Sequence, residues 1–321
     1  MTEPLLAIRD LRVAFATPAG LVRAVDGVSL DLHSGECLGI VGESGSGKSV
    51  TFASVMGLIR PPGRIEAGSI LFSGRELVGL DVAAYRRLRG REIAMTLQDA
   101  LTSLNPALTV GTQITEVLLA HGDDRRSARE RAVEMMRLVG IPAAERRLGD
   151  YPHQFSGGMR QRMMIAIALS CRPRLLIADE PTTALDVTIQ AQVLELIASI
   201  RATLGMSVVL ITHDLGVVAE YCDRVAVLYA GQVVESGITA EVIATPRHPY
   251  TAGLLASVPR MADLDRPIRP IEGQVPDLMA MPPGCRFLPR CGLALPACQE
   301  TIAMHTDNGR GVRCLRPGEA T

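Results

Sequence analysis

Short apolar runs closed by glycine or by acids recur along the chain, and stretches of helical periodicity lie between them. Leu5–Phe15 and Val25–Leu32 read as strands, apolar and β-branched with polar interruptions, parted by Thr17-Pro18-Ala19-Gly20. Leu38–Val41, Ser69–Phe72 and Ile93–Leu97 add shorter strands. Leu175–Ala178 is apolar without alternation and ends in Asp179-Glu180, the pattern of a parallel strand buried on both faces with acids at its C-terminal edge. Ser207–Thr212 repeats that pattern and ends at His213-Asp214, and Val225–Tyr229 with Gln232–Ser236 makes a hairpin around Ala230-Gly231. Helical periodicity marks Val50–Leu58, Ile114–Ala120 and Ser127–Val139, the last stopped by Gly140 and Pro142. Arg-rich Tyr85–Arg91 reads as a solvated helix, and Ile189–Leu204 as an amphipathic one ended by Gly205. A further helix opens at Ser156 and runs to about Ser170. Past Gly237–Ala240 the composition turns proline-rich. The expected division is 1–239, with a helical insertion over about 99–160, and a smaller region 240–321.

Composition narrows the function classes. The 321 residues are 47% apolar and 21% charged, enough for a sizeable core without disordered stretches. A net charge of −1 gives no general attraction to nucleic acid, and ten aromatic side chains (5 Tyr, 5 Phe, no Trp) argue against base-stacking surfaces. The N-terminal residues are charged and lack an apolar block, so no signal peptide is expected. Met163–Leu169, the longest apolar run near a helix, is far too short for a membrane span. These features lead us to expect a soluble, cytoplasmic chain.

The strongest chemical signal is Gly42-Glu43-Ser44-Gly45-Ser46-Gly47-Lys48-Ser49, which fits G-x-x-x-x-G-K-[ST] between a strand and a helix. Its glycines let successive backbone N–H groups converge on phosphate oxygens at the positive end of the following helix. Lys48 is the only lysine in the chain, and every other basic residue is arginine or histidine. A narrow nest of amides admits a point-like ammonium and rejects a planar guanidinium fork. Ser49 supplies a hydroxyl for Mg²⁺. A second Gly-rich turn, Phe155-Ser156-Gly157-Gly158-Met159, is by itself only a capped helix start.

In this order the pieces resemble an ABC-transporter nucleotide-binding subunit over about residues 5–240. The resemblance implies an α/β P-loop NTPase (RecA-like) core with an antiparallel β-subdomain and a helical insertion, followed by a small cysteine-containing extension. It assigns ATP to Gly42–Ser49, a Mg²⁺ and permease contact to Gln98, and the Mg²⁺ carboxylate to Asp179. Glu180 becomes the catalytic base and His213 the γ-phosphate contact, with Lys48 on the terminal phosphates. Ser156, Gly157, Gly158 and Asp186 would reach the ATP held by a second ATPase subunit paired head-to-tail. Phe15 is the candidate for stacking on adenine, where tyrosine is commoner in the family, and Phe155 replaces a common leucine at a core position.

The C-terminal part, with His248-Pro249-Tyr250-Thr251, Pro283-Gly284-Cys285 and Pro289-Arg290-Cys291, resembles ATP-binding subunits of dipeptide and oligopeptide importers, with nickel importers a near relative. That implies a sister ATPase, two permeases and an extracytoplasmic solute-binding protein as partners, and a peripheral position on the cytoplasmic face of the membrane. Cys285, Cys291, Cys298 and Cys314 lack any C-x-x-C pair and by spacing make only a Cys₄ site of unknown metal. The resemblance implies a [4Fe–4S] cluster there, with zinc as the alternative. Cys37, Cys171 and Cys222 are expected in the core. Two competing readings, a soluble ABC ATPase acting on nucleic acid or the ribosome and an exporter subunit, are disfavoured. The chain has one cassette, no basic field and no fused spans.

Overall fold

The computed structural model describes residues 3–96, 103–183, 185–257 and 270–319. The first part runs β1 (Leu6–Thr17), β2 (Gly20–Leu32), β3 (Cys37–Val41), α1 (Lys48–Val55), β4 (Gly63–Phe72) and β5 (Arg75–Glu76). Then follow α2 (Val82–Leu88), β6 (Ile93–Thr96), α3 (Val110–Ala120), α4 (Arg125–Leu138), α5 (Ala144–Arg147) and α6 (Gly157–Leu169). The series continues through β7 (Leu175–Asp179), α7 (Val187–Leu204), β8 (Ser207–Ile211), α8 (Leu215–Tyr221), β9 (Arg224–Tyr229) and β10 (Gln232–Ile238). It closes with α9 (Thr239–Ala244), α10 (Pro249–Ala256), β11 (His305–Asp307) and β12 (Arg310–Val312).

These elements form two compact units, one of residues 1–79 with 212–321 and one of 80–211. In the first, β2, β1, β4 and β5 make an antiparallel sheet. Inward-facing Ile8, Leu11 and Val13 of β1 are fully buried. The same unit holds β3 parallel to β9, then β10, β12 and β11 in antiparallel succession. The strand β3 is buried along its whole length, and Val41 delivers the chain directly into the phosphate loop.

In the second unit β6, β7 and β8 lie side by side and parallel, and every residue of β7 and β8 is buried. The continuous apolar runs predicted that burial, since both faces of such strands are covered. Helices α3, α4 and α6 pack together there, joining Ile114, Leu118, Met135, Met136, Met163 and Ile165 in one core. Each has a side-chain cap: the Thr109 hydroxyl accepts from Thr112, Asp124 from Ser127 and Ser156 from Met159.

Several boundaries differ from the sequence reading, and β2 and α3 both start earlier than expected, at Gly20 and Val110. Strand β4 starts at Gly63, because Gly63–Ala67 pairs with the far end of β1 despite its polar, glycine-broken pattern. The Arg-rich helix begins at Val82 under an Asp81 cap and buries Ala84, Tyr85 and Leu88, so it is half-sunk, not solvated. Helix α1 begins two residues earlier than the apolar run, at Lys48. The C-terminal stretch between Cys298 and Cys314 carries two strands that went unread. They extend the sheet beyond β10, pairing Glu235 with Val312 and Ser236 with Gly311.

Candidate functional site

In the first unit Gly42–Ser49 forms a tight nest where β3 hands over to α1. Gly42 (φ 152°) and Gly47 (φ 94°) sit where a side chain has no room. A Cβ on Gly42 would lie 2.1 Å from the Leu228 carbonyl oxygen, and one on Gly47 2.4 Å from that of Ala24. Gly47 precedes α1, whose N-terminus has no side-chain cap, so the first N–H groups and the helix dipole are directed at whatever the loop holds. The Lys48 ammonium is buried and donates to the Gly42 carbonyl at 2.7 Å and that of Glu43 at 3.0 Å. Ser49 is exposed.

Groups remote in sequence complete the nest. The β9–β10 turn donates from the Gly231 N–H to the Ser46 carbonyl at 2.9 Å, and the Gly231 carbonyl accepts from Asp26 at 2.8 Å. Sequence reasoning found that hairpin but not its role as a brace. Exposed His213 follows Thr212, whose N–H bonds the Ile40 carbonyl on the strand that feeds the loop, at 3.1 Å. Phe15 lies on β1 opposite Val22 and Gly63, with its ring over the Gly63 backbone.

The second unit gathers the other predicted residues. Asp179, 6% exposed, ends β7, and Glu180 follows in a left-handed turn (φ 44°), its N–H bonded to the Ile211 carbonyl at the end of β8. The Thr183 hydroxyl donates to the Glu180 carboxylate at 2.9 Å. Both acids therefore stand at the C-terminal edge of parallel strands, where open α/β sheets take their ligands. Ser156, Gly157 and Gly158 open α6 against the start of α7: a Cβ on Gly158 would come within 2.7 Å of Ile189. Asp186 caps α7 through the Ile189 N–H at 2.9 Å. The turn and Asp186 thus share one corner of this unit, and Phe155 beneath them is buried, as expected from its core position. Gln98 lies outside the described residues.

The four late cysteines converge. Cys285, Cys291, Cys298 and Cys314 line one pocket with Phe287 and Ile302. Burial pushes the Cys285 and Cys314 thiols up, and the neighbouring cysteines push them further. Among the described residues, no three His, Cys, Asp or Glu side chains are arranged as a metal-holding group, so the cluster expectation gains a shared pocket but no assembled ligand set. Cys37 and Cys222 are buried with sulfurs 3.6 Å apart, whereas Cys171 is only half-buried and in that respect departs from the core expectation.

The ABC transporter family model matches residues 25–183, the stretch that carries the loop, the turn at Ser156 and the paired acids. The chain belongs to the ABC transporter family. A second model, the oligopeptide/dipeptide transporter C-terminal region, matches residues 234–298. This cassette is 52% identical over 306 residues to a dipeptide transport ATP-binding protein of Bacillus subtilis, covering 95% of this chain and 91% of that one. It is 53% identical over 294 residues to an oligopeptide transport ATP-binding protein of the same organism, covering 91% and 82%. Among solved structures it resembles a dimeric ATP-binding cassette in a post-hydrolysis state with ADP and Pi, at a TM-score of 0.65 and 26% identity over 73% of this chain and 98% of that one. ATP with Mg²⁺ is thus the general chemistry of the site, and the P-loop NTPase core and ATPase class follow with it. No described helix is long and apolar enough to cross a membrane.

Proposed function

We propose that this chain is the ATP-hydrolysing subunit of an importer of short peptides, with 1–239 the nucleotide-binding domain and 240–321 the family-specific region. One observation carries the reading: a phosphate nest with a buried ammonium and a peptide-importer C-terminal region lie on one chain. It sits at the cytoplasmic face of the membrane, paired with a sister ATPase and two permeases served by a solute-binding protein.

Hydrolysis is phosphoryl transfer to water, which needs positioning and charge stabilisation above all. The loop amides and Lys48 hold the β- and γ-phosphates. Ser49, Asp179 and Gln98 are the residues to hold Mg²⁺, which when bound neutralises phosphate charge. Glu180 accepts the proton of the attacking water as its oxygen bonds to the γ-phosphorus and ADP leaves. His213 contacts the γ-phosphate, and Phe15 stacks on adenine. Ser156–Gly158 and Asp186 close on the nucleotide held by the partner ATPase, and that closure, passed through the Gln98 segment and the helical insertion, drives the permeases.

The cysteine pocket suits a [4Fe–4S] cluster in its donor chemistry: four thiols and no carboxylate among the described lining residues. Cys285, Cys291, Cys298 and Cys314 would hold it in a structural or regulatory role. Protein purified without oxygen should be brown, with iron and sulfide in comparable amounts, and a colourless preparation with stoichiometric zinc overturns that assignment. Isolating the membrane complex tests the main reading. Two polytopic permeases and a bound peptide on the solute-binding subunit support it, whereas ATPase stimulation by nucleic acid in their absence defeats it.

A further inference from the structure

Glu43, the second residue of the phosphate loop, is gripped from the C-terminal stretch. Arg290 bonds both oxygens of its carboxylate, Nη1 to Oε2 at 2.8 Å and Nη2 to Oε1 at 3.1 Å. The Glu43 backbone N–H donates to the Tyr250 hydroxyl at 2.8 Å, and its carbonyl accepts from the Lys48 ammonium at 3.0 Å. Every polar group of Glu43 is therefore engaged, and two of the three partners come from more than 200 residues away.

The grip is itself rigidly held. Arg290 donates from Nε to the Glu272 carbonyl at 2.9 Å, from Nη2 to that of Ile271 at 3.2 Å and from Nη1 to the Tyr229 hydroxyl at 3.3 Å. Its side chain is 5% exposed. Tyr250 is fully buried against Tyr229, ring centroids 4.6 Å apart, and against Phe287 at 5.5 Å. Three of the chain's ten Tyr and Phe residues meet here, and Phe287 and Arg290 flank the turn between Cys285 and Cys291. Arg286, beside Cys285, bonds the Ala230 carbonyl and the Asp26 carboxylate, one residue from the Gly231 brace on Ser46.

A carboxylate on a loop built for polyphosphate opposes its ligand, because like charges repel strongly where water is partly excluded. A bidentate guanidinium cancels that charge and fixes its direction. We propose that Arg290 and Tyr250 are positioning residues for the nucleotide site: they fix Glu43 so that its charge is neutralised and its carbonyl stays in place for Lys48. The C-terminal stretch is then part of the ATP site. This inference rests on the ATP-binding reading.

The test titrates the full chain with a fluorescent ATP analogue and Mg²⁺, with melting curves for each variant. Arg290→Ala should weaken binding about tenfold, the size expected when a partly buried charge loses its hydrogen-bonded partner. Glu43→Gln added to it should restore most of the affinity, since the amide leaves no unpaired charge. Tyr250→Phe should weaken binding a few-fold. Arg290→Gln, which keeps most of the packed stem, replaces the alanine variant if that one does not fold. Affinity within twofold of wild type for the Arg290 variant, or no recovery in the double variant, overturns the inference, because a purely structural role would not be relieved at Glu43. Wild-type protein that fails to bind Mg·ATP strikes the underlying ATP reading instead.

Discussion

Lys48 is the only lysine of the chain, and its ammonium donates to the carbonyl oxygens of Gly42 and Glu43. The remaining side-chain cations outside histidine are all arginine, so Lys48→Arg tests shape against charge at one residue. A planar fork cannot fit where Gly42 and Glu43 close on a point charge, and the variant should lose Mg·ATP affinity by at least about tenfold in a nucleotide titration. Gly47 makes a complementary test of backbone freedom. Alanine there must adopt φ 94° and collide with the Ala24 carbonyl. The expected cost is upward of about 1–3 kcal/mol in urea unfolding, with nucleotide binding impaired beyond that loss of stability.

At the scale of elements, the hairpin of β11 and β12 shows how an irregular tail becomes part of a sheet. Its turn is Asn308-Gly309, both at positive φ, as a two-residue hairpin loop requires. That dipeptide was legible, but strands of three residues give too little alternation to register. What fastens the hairpin is a buried pair: Arg310 donates to Glu235 at 2.8 Å, with side chains 6% and 0% exposed. Glu235 also accepts from the backbone N–H groups of Arg247 and His248, tying α10 to the same point. His248 stays neutral, its pKa pushed down to about 3 by burial, and its Nδ1 caps α10 through the Tyr250 N–H. Arg310→Ala should therefore cost on the order of 3–5 kcal/mol in chemical denaturation, since it strands a buried carboxylate, and should loosen α10 with it. The same contrast governs what could be read in advance. The buried strands, the phosphate loop and the cap at Ser156 are local patterns of residue type, and they stood out. The clasp on Glu43, the brace from Gly231 and the early start of β4 join residues far apart in sequence. No local periodicity marks them, because topology alone brings their partners together.

For the whole molecule the decisive question is how two cassettes share the work. Ser156–Gly158 and Asp186 occupy one corner of the second unit, where Gly158 packs on Ile189 and the helix N-terminus is left exposed. If this corner closes on nucleotide held by the partner ATPase, binding and pairing must be separable by mutation. Glu180→Gln removes the proton acceptor while keeping the shape, so hydrolysis should fall by at least about a hundredfold while ATP still binds. With the reaction blocked, the closed pair with the sister ATPase should accumulate, and the two subunits mixed together should co-migrate as a dimer in size exclusion with ATP, though not with ADP. Ser156→Arg on that background places a bulky cation on the closing surface of one chain and leaves that chain's own phosphate loop untouched. The nucleotide should then still bind to the variant while the dimer disappears. A dimer that persists despite Ser156→Arg would place the pairing surface elsewhere. Near-normal turnover in Glu180→Gln would remove Glu180 from the base role and leave its neighbour Asp179 to be tested in its place.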